Sequence, residues 1–300
     1  MGVSIGPLRL VNPVVAASGT FGYGLELGDF CPPRRLGAVV TKGLSLRPWS
    51  GNAQPRMVET AGGLMNAIGL ENIGVEEFLA SVARPLGRTA GCFGANIIGA
   101  KVEEYEALAG KLSLTKIDFI EVNVSCPNLA HPGGMSFGSD PEVLFPLVGK
   151  VVAAAAPKPV IVKLPPLVAD IAGLAKICES AGATAISLIN TLPGLAVDFE
   201  NRRSMIANGF GGLSGPPVKP LALRQVYLAA RAVKIPVVGM GGIMSGLDAL
   251  EFIACGASAV QVGTAILQDP AAPLRIIAEL KRHLGQNKLT LEEVRGSLRL

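Results

Sequence analysis

The chain is organised around the stretch Ile117-Asp-Phe-Ile-Glu-Val-Asn-Val-Ser-Cys-Pro-Asn128. Residues 117–123 are apolar and rich in β-branched side chains, which predicts a buried strand. Cys126 follows this strand among small polar residues, and a flexible run begins two residues later. A thiol in a loop at the end of a parallel strand is well placed for chemistry. A buried structural cysteine is more common, so the role of Cys126 has to be inferred from the rest of the chain.

Short apolar segments alternate with segments of helical periodicity along the chain. Strands are predicted at residues 13–17, 38–42, 91–96, 117–123, 159–164, 185–190, 236–240 and 259–263. Helices are predicted at residues 75–83, 101–112, 168–181, 221–233, 247–255 and 271–284. Asp140 and Pro141 begin a further helix, which Pro146 is expected to kink or delay. Thr290 and Glu293 form a capping box for a last helix.

Eight βα units in 300 residues predict an α/β fold, a (β/α)8 TIM barrel in a single domain over residues 1–300. A doubly wound sheet is the alternative, and it would favour a dinucleotide-binding glycine fingerprint after the first strand. Residues 209–215 resemble that fingerprint, but the last glycine is one residue late and no clear strand precedes it. Insertions near 44–68 and 191–217 are longer than a barrel needs, so we expect active-site lids or walls there.

Composition excludes several classes of protein. The net charge is +4 with no basic run, so nucleic acid is not implied. No uncharged, proline-free apolar segment reaches about 18 residues and no signal sequence is evident, so we expect a cytoplasmic protein without a membrane span. The closest pair of cysteines, Cys92 and Cys126, is 34 residues apart. We therefore expect no zinc or iron–sulfur site of the C-x-x-C type and a reducing compartment.

Every predicted strand ends in polar or glycine residues, and in a barrel such ends meet at one rim. A lone lysine such as Lys163 is more often solvated or salt-bridged, but eight polar ends together predict a site. Gly241-Gly242 and Gly263-Thr264 follow the last two strands, where barrels commonly bind phosphate, although ordinary turn geometry explains either pair alone equally well. Lysines and asparagines beside a phosphate site suggest an aromatic phosphate cofactor whose reduced ring Lys163 could stabilise.

Seven segments together are characteristic: NVSCPN (123–128), GGMSFG (133–138), NAIGLEN (66–72), NTLPG (190–194), GGLSGP (211–216), GMGGI (239–243) and AVQVGTA (259–265). On these segments the chain resembles a known family, the dihydroorotate dehydrogenases of class 1, from about residue 5 to residue 285. The cysteine is typical of class 1, because class 2 enzymes use serine as base. The first, second and fifth of these segments resemble subclass 1B in particular. One departure is His131, where the family more often has lysine.

The resemblance implies that Cys126 removes the C5 proton of dihydroorotate while FMN accepts the C6 hydride. It implies FMN contacts from Ser18, Lys42, Gly43, Asn96, Asn123, Lys163, Ile189, Gly215, Gly241, Gly242, Gly263 and Thr264. Substrate contacts are implied for Lys42, Asn66, Ala67, Ile68, Gly69, Leu70, Asn123, Asn190 and Thr191. It also implies a homodimer core within a heterotetramer, whose partner electron-transfer subunit carries FAD and a [2Fe-2S] cluster and passes electrons to NAD. We expect residues 128–137 to form a lid over Cys126.

Other functions remain open from the residues alone. A fumarate-dependent class 1A enzyme needs no partner subunit, and a reductase of free pyrimidine bases shares much of this barrel. A Schiff-base aldolase would use Lys163 as its nucleophile and the glycine turns for phosphate. A non-catalytic barrel is disfavoured by the polar rim. Cys31, Cys92, Cys178 and Cys255 are expected to be structural.

Overall fold

The computed structural model describes residues 1–125 and 137–300. In chain order its strands are β1 (Val3–Ile5), β2 (Leu8–Leu10), β3 (Val14–Ala16), β4 (Ala38–Val40), β5 (Met57–Glu59), β6 (Leu64–Asn66), β7 (Phe93–Ile97), β8 (Phe119–Asn123), β9 (Val160–Lys163), β10 (Ala185–Leu188), β11 (Leu192–Gly194), β12 (Val197–Asp198), β13 (Arg203–Ser204), β14 (Gly211–Ser214), β15 (Val237–Met240) and β16 (Ala259–Val262).

Eight parallel strands close into a barrel in the order β3-β4-β7-β8-β9-β10-β15-β16. Each corresponds to one strand predicted from the sequence, and the bounds differ by at most two residues at either end. Their side chains are buried along both faces, since one face fills the barrel and the other packs against helices. The predicted (β/α)8 fold is therefore confirmed.

The helices surround the barrel and match the predicted segments, except that the short helix Thr264–Gln268 was not predicted. They are α1 (Gly74–Glu77), α2 (Ala83–Leu86), α3 (Val102–Ser113), α4 (Pro141–Ala155), α5 (Ile171–Ser180), α6 (Lys219–Ala232), α7 (Gly246–Ala254), α8 (Thr264–Gln268), α9 (Ala272–Asn287) and α10 (Leu291–Val294). A π-helical turn, Phe78–Val82, joins α1 to α2. The capping box predicted at Thr290 is present, and α5 begins at Ile171 because the Asp170 side chain caps it.

The expectation that Pro146 delays helix α4 is wrong. The helix starts at Pro141, where the Asp140 side chain accepts a hydrogen bond from the Glu142 N–H, and it runs through Pro146. Pro146 and Glu142 are both exposed. The Glu142 carbonyl that proline leaves without its i+4 donor can therefore bond to water, which reduces the cost of a proline inside the helix.

The two insertions form one antiparallel sheet. Strands β5 and β6 come from the first insertion and β11 and β14 from the second, in the order β11-β14-β6-β5. Residue pairs such as Met65 with Leu213 join segments about 150 residues apart in sequence. The sequence predicted lids or walls at these places but not their shared sheet.

A hairpin of β1 and β2 lies at the opposite end of the barrel. Its buried Ile5 and Leu10 lie beside Ala38, Phe119 and Val238 near the starts of barrel strands. This apolar plug closes the N-terminal end, so the cavity opens only towards the carboxyl ends. Within the described ranges, no helix has both the length and the apolar character needed to cross a membrane.

Candidate functional site

One large cavity lies at the carboxyl ends of the barrel strands, with a volume of about 750 Å³. This is within the range of about 300–1,000 Å³ that small-molecule sites occupy. Every candidate residue that the structure describes lines this cavity: Ser18, Lys42, Gly43, Asn66, Ala67, Ile68, Gly69, Leu70, Asn96, Asn123, Lys163, Ile189, Asn190, Thr191, Gly215, Gly241, Gly242, Gly263 and Thr264. The insertion sheet supplies further walls, including Met57, Gly212 and Leu213. Cys126 and His131 lie outside the described residues.

Glycines from three segments meet on one side of the cavity. Gly242 has φ +75°, and a Cβ there would lie 2.8 Å from the Gly215 carbonyl oxygen. A Cβ at Gly215 would in turn lie 3.5 Å from the Thr264 side chain. The backbone N–H groups of Gly241 and Gly242 donate no hydrogen bond to the described part of the chain. Unpartnered N–H groups in a glycine turn are suited to binding an anion such as phosphate.

The turn after Gly242 is fixed by the start of helix α7. The Asp248 carboxylate accepts hydrogen bonds from the backbone N–H groups of Met244 (2.9 Å) and Ser245 (2.8 Å). Ser245 and Asp248 also form a capping box, and Lys219 donates to Asp248 at 2.6 Å. These contacts hold the glycine turn in place without using its own N–H groups.

Lys163 ends strand β9 and is almost fully buried in the floor of the cavity, with 5% of its surface exposed. Its Nζ donates to Ser18 Oγ at 3.3 Å. Burial lowers the pKa of the Lys163 ammonium, and the nearby Glu121 carboxylate opposes that effect. A buried cation at this position can stabilise negative charge that develops on a bound ligand.

A buried carboxylate lies beneath the cavity. Glu121 is fully buried in strand β8 and accepts hydrogen bonds from Asn96 Nδ2 (2.8 Å), Ser187 Oγ (3.0 Å) and Gln261 Nε2 (2.6 Å). The three donors lie on three different barrel strands. Glu121 and Gln261 were not predicted from the sequence. Glu121 could have been noticed, because it is a charged residue inside an otherwise apolar strand.

A chain of hydrogen bonds joins two of the predicted asparagines. Asn190 Nδ2 donates to Ser125 Oγ at 2.7 Å, and Ser125 Oγ donates to Asn123 Oδ1 at 2.7 Å. Tyr105, in α3, donates from its hydroxyl to the Asn123 carbonyl oxygen at 2.9 Å. Ser125 therefore orients both asparagines, a role that the sequence did not reveal.

An ion-pair cluster borders the other side of the cavity. Lys42 Nζ lies 3.2 Å from Glu71 Oε2, and Arg56 lies 2.9 Å from the same oxygen. Hydrogen bonds from Lys42 and Arg56 lower the pKa of the Glu71 carboxyl. Glu71 was not predicted as a site residue, yet its carboxylate pairs with the predicted Lys42.

The four described cysteines lie away from this cavity. Cys31, Cys178 and Cys255 are buried and Cys92 is half-buried, and all four are free thiols. Burial raises the pKa of Cys31 to about 11 and of Cys178 to about 12. Their thiols are protonated at neutral pH, which agrees with the expectation that they are structural.

Comparison with known proteins identifies the family. A family model described as dihydroorotate dehydrogenase matches residues 1–284. A relative from Geobacter sulfurreducens, described as "Dihydroorotate dehydrogenase B (NAD(+)), catalytic subunit", is 51% identical over 300 residues, covering 99% of this chain and 98% of the relative. A protein of the same description from Geobacter metallireducens is 50% identical, covering 100% and 98%.

The comparison with solved structures agrees on the fold. The crystal structure of DHODH from Eimeria tenella in complex with ferulenol matches with a TM-score of 0.83 at 22% identity, covering 99% of this chain and 88% of that one. At that identity the likeness shows the shared barrel alone. The family model and the Geobacter relatives each extend over nearly the whole chain, and together they establish that this protein belongs to the dihydroorotate dehydrogenase family.

Proposed function

We propose that this chain oxidises dihydroorotate to orotate in pyrimidine biosynthesis, as the catalytic subunit of an enzyme that passes its electrons to NAD⁺. One observation carries the proposal. A relative 51% identical over 99% of the chain is named as such a catalytic subunit, and the residues expected to act in that reaction line one cavity where the structure describes them.

We propose FMN as the cofactor, and the chemistry of the cavity fits it. Gly215, Gly241, Gly242, Gly263 and Thr264 form a side suited to phosphate, because the N–H groups of Gly241 and Gly242 donate no hydrogen bond to the described part of the chain. On the floor, Lys163 supplies a cation and Asn96 an amide for hydrogen bonding to a polar ring. When bound, FMN supplies the acceptor for the hydride that leaves C6 of dihydroorotate.

The substrate would lie between the asparagines and the insertion sheet. Asn123 and Asn190, oriented by Ser125, can hydrogen-bond the planar edge of orotate. Lys42 can contact the substrate and the cofactor from the opposite border. Residues 66–70 line this space. We propose Cys126, which lies outside the described residues, as the base that removes the C5 proton.

A thiol suits this proton transfer. An unperturbed cysteine has a pKa of about 8.5, close to the operating pH, and general bases work best in that range. The lysine that stabilises charge and the thiol that accepts the proton are separate groups in this proposal. Their effects can therefore be measured separately.

The partner is proposed from the same resemblance. The word "subunit" in the relatives' names implies a complex. We propose that the partner carries FAD and a [2Fe-2S] cluster, and that two copies of this chain form the core of a heterotetramer. Electrons from FMN would leave through that partner to NAD⁺.

The test is to assay the isolated chain and the chain supplied with its partner. We expect a yellow protein whose released flavin is FMN. The isolated chain should oxidise dihydroorotate with an artificial dye but not with NAD⁺ or fumarate, and the partner should restore activity with NAD⁺. Failure of the flavin-loaded chain to oxidise dihydroorotate with any acceptor would refute the proposed reaction.

Other acceptors and substrates are outcomes of the same assay. Turnover with fumarate by the isolated chain would indicate the class 1A reaction. Faster turnover of dihydrouracil than of dihydroorotate would indicate a reductase of free bases. A colourless protein trapped at Lys163 by borohydride would indicate a Schiff-base aldolase, whose nucleophile also requires a lowered lysine pKa.

A further inference from the structure

Two buried charges of opposite sign lie on neighbouring strands of the barrel. In the pairing of β8 with β9, Asn123 lies opposite Lys163 and Glu121 lies opposite Ile161. Residues two apart on a strand point to the same face, so Glu121 lies one layer below Asn123 on the inner face. Lys163 is 5% exposed and Glu121 is fully buried.

Ser187, on the neighbouring strand β10, lies beside both Lys163 and Glu121. It lies opposite Lys163 in the pairing of β9 with β10, and its hydroxyl donates to Glu121 at 3.0 Å. Ser187 is thus the strand neighbour of the lysine and a hydrogen-bond donor to the carboxylate, which places both groups in the same part of the barrel interior. A buried charge without any opposite charge nearby is costly, and a carboxylate in the adjoining layer reduces that cost for the lysine.

The described residues give Lys163 no other anion. Within residues 1–125 and 137–300, Lys163 Nζ donates to the neutral Ser18 and takes part in none of the ion pairs. The other charged side chains of the cavity are Lys42 and Glu71, which pair with each other. Glu121 in turn accepts only from neutral amide and hydroxyl groups. Among the described residues, Glu121 is therefore the charge that compensates Lys163.

We propose that Glu121 is a positioning residue that acts through Lys163, as the buried counter-charge that holds this lysine in its ammonium form at the cavity floor. The role of this charge rests on the proposed function, because a cationic Lys163 favours the electron-rich, reduced state of bound flavin. Burial lowers the pKa of Lys163, and the Glu121 carboxylate is the charge that opposes this effect.

Glu121→Gln removes the charge while leaving the hydrogen bonds available. A glutamine at this position can still accept from Asn96. The Gln261 amide, whose Oε1 is buried without a partner, can reverse and accept from the new amide nitrogen. The substitution is nearly the same size, so it tests the charge rather than the packing.

The first measurement needs neither flavin nor substrate. In the FMN-free full chain, acetylation of Lys163 by dilute acetic anhydride is followed against pH by mass spectrometry. In E121Q the midpoint for Lys163 should fall by about one pH unit or more, while that for Lys42, which pairs with Glu71, should not move. Ser187→Ala, which removes one neutral donor from the same carboxylate, is the matched control and should shift Lys163 far less. An unmoved Lys163 midpoint in E121Q would overturn the proposal.

The second measurement is the midpoint potential of bound flavin, and it predicts a change of sign. At a pH between the two labelling midpoints of Lys163, E121Q should lower the potential, because the lysine is then charged in the unsubstituted chain and neutral in the variant. In the K163M background the same substitution should raise the potential, because it removes an uncompensated anion. A rise in both backgrounds would show that Lys163 stays charged without Glu121 and would refute the inference. Because the labelling result does not depend on turnover, it decides this question even if the chain fails to oxidise dihydroorotate.

Discussion

Gly242→Ala should weaken both the fold and the binding of FMN. Gly242 has φ +75°, and a Cβ there would lie 2.8 Å from the Gly215 carbonyl oxygen and 2.8 Å from the Lys219 Cβ. Neither neighbour is the flexible end of a side chain. The left-handed backbone costs an alanine about 1–2 kcal/mol, and the overpacking adds about 1–3 kcal/mol. We expect a total loss of about 2–5 kcal/mol of unfolding free energy.

Gly209→Ala separates the two contributions. Gly209 also has a positive φ, +82°, but no atom lies within 4 Å of a Cβ placed there, and it does not line the cavity. This control should lose only the backbone cost of about 1–2 kcal/mol. Gly149→Ala, in α4 and with no neighbour within 4 Å, should stabilise the protein by about 0.5–1 kcal/mol.

The assay combines thermal unfolding of each flavin-free variant with titration of FMN by fluorescence quenching. The G242A variant should bind FMN at least about tenfold more weakly, which corresponds to about 1.4 kcal/mol, while G209A and G149A bind as the unsubstituted chain does. If G242A and G209A were equally stable and bound FMN equally well, the close approach of Gly242 to Gly215 would have no energetic role. The glycine turn would then not be the phosphate side of the cavity.

Four further outcomes follow from the site and its surroundings. Cys126→Ala should leave FMN bound but nearly abolish dihydroorotate oxidation at neutral pH, and C126S should recover part of the rate at high pH; wild-type turnover in C126A would exclude the thiol as base. Lys163→Ala should slow flavin reduction in stopped-flow traces, and unchanged kinetics would refute its electrostatic role. Glu71→Gln removes an anion beside Lys42, so orotate should bind more tightly, by up to about fivefold for a partly exposed pair; weaker binding in equilibrium dialysis would contradict this. In the folded chain Cys178 has a pKa raised to about 12, so above pH 9 the unfolded chain loses a thiol proton that the folded chain keeps. The free energy of unfolding should therefore fall as the pH rises. Cys178→Ala should make this fall less steep, by up to about 1.4 kcal/mol per pH unit.

The barrel strands were predictable because each is a short apolar segment between polar or glycine-containing turns. Buried parallel strands have this simple pattern, and eight of them between helices leave few alternative folds. The site followed from the same logic, since the fold itself brings residues such as Asn96, Asn123 and Lys163 to one rim. Their positions at the ends of predicted strands were enough to identify these residues as site residues.

The insertion sheet could not be predicted in the same way. Its strands have three or four residues and little alternation, and β11 (Leu192–Gly194) contains Pro193. Their stability comes from pairing between distant segments, such as Ser214 with Leu64, 150 residues away. No local pattern encodes such a pairing, so the sequence predicted only that the insertions border the site.

The charges at the cavity floor, on Lys163 and Glu121, could not be predicted from the sequence. Glu121 stands out as one acid in an apolar strand, but an acid there could equally be a surface residue of a shorter strand. Its donors come from positions 25, 66 and 140 residues away, and only closure of the barrel brings them together. The same closure buries Lys163 and excludes water from both groups, which makes their mutual attraction strong. The protonation state of the lysine therefore depends on the whole barrel rather than on the motif that contains it, and a substitution at Glu121 tests that dependence without altering any residue of the motifs.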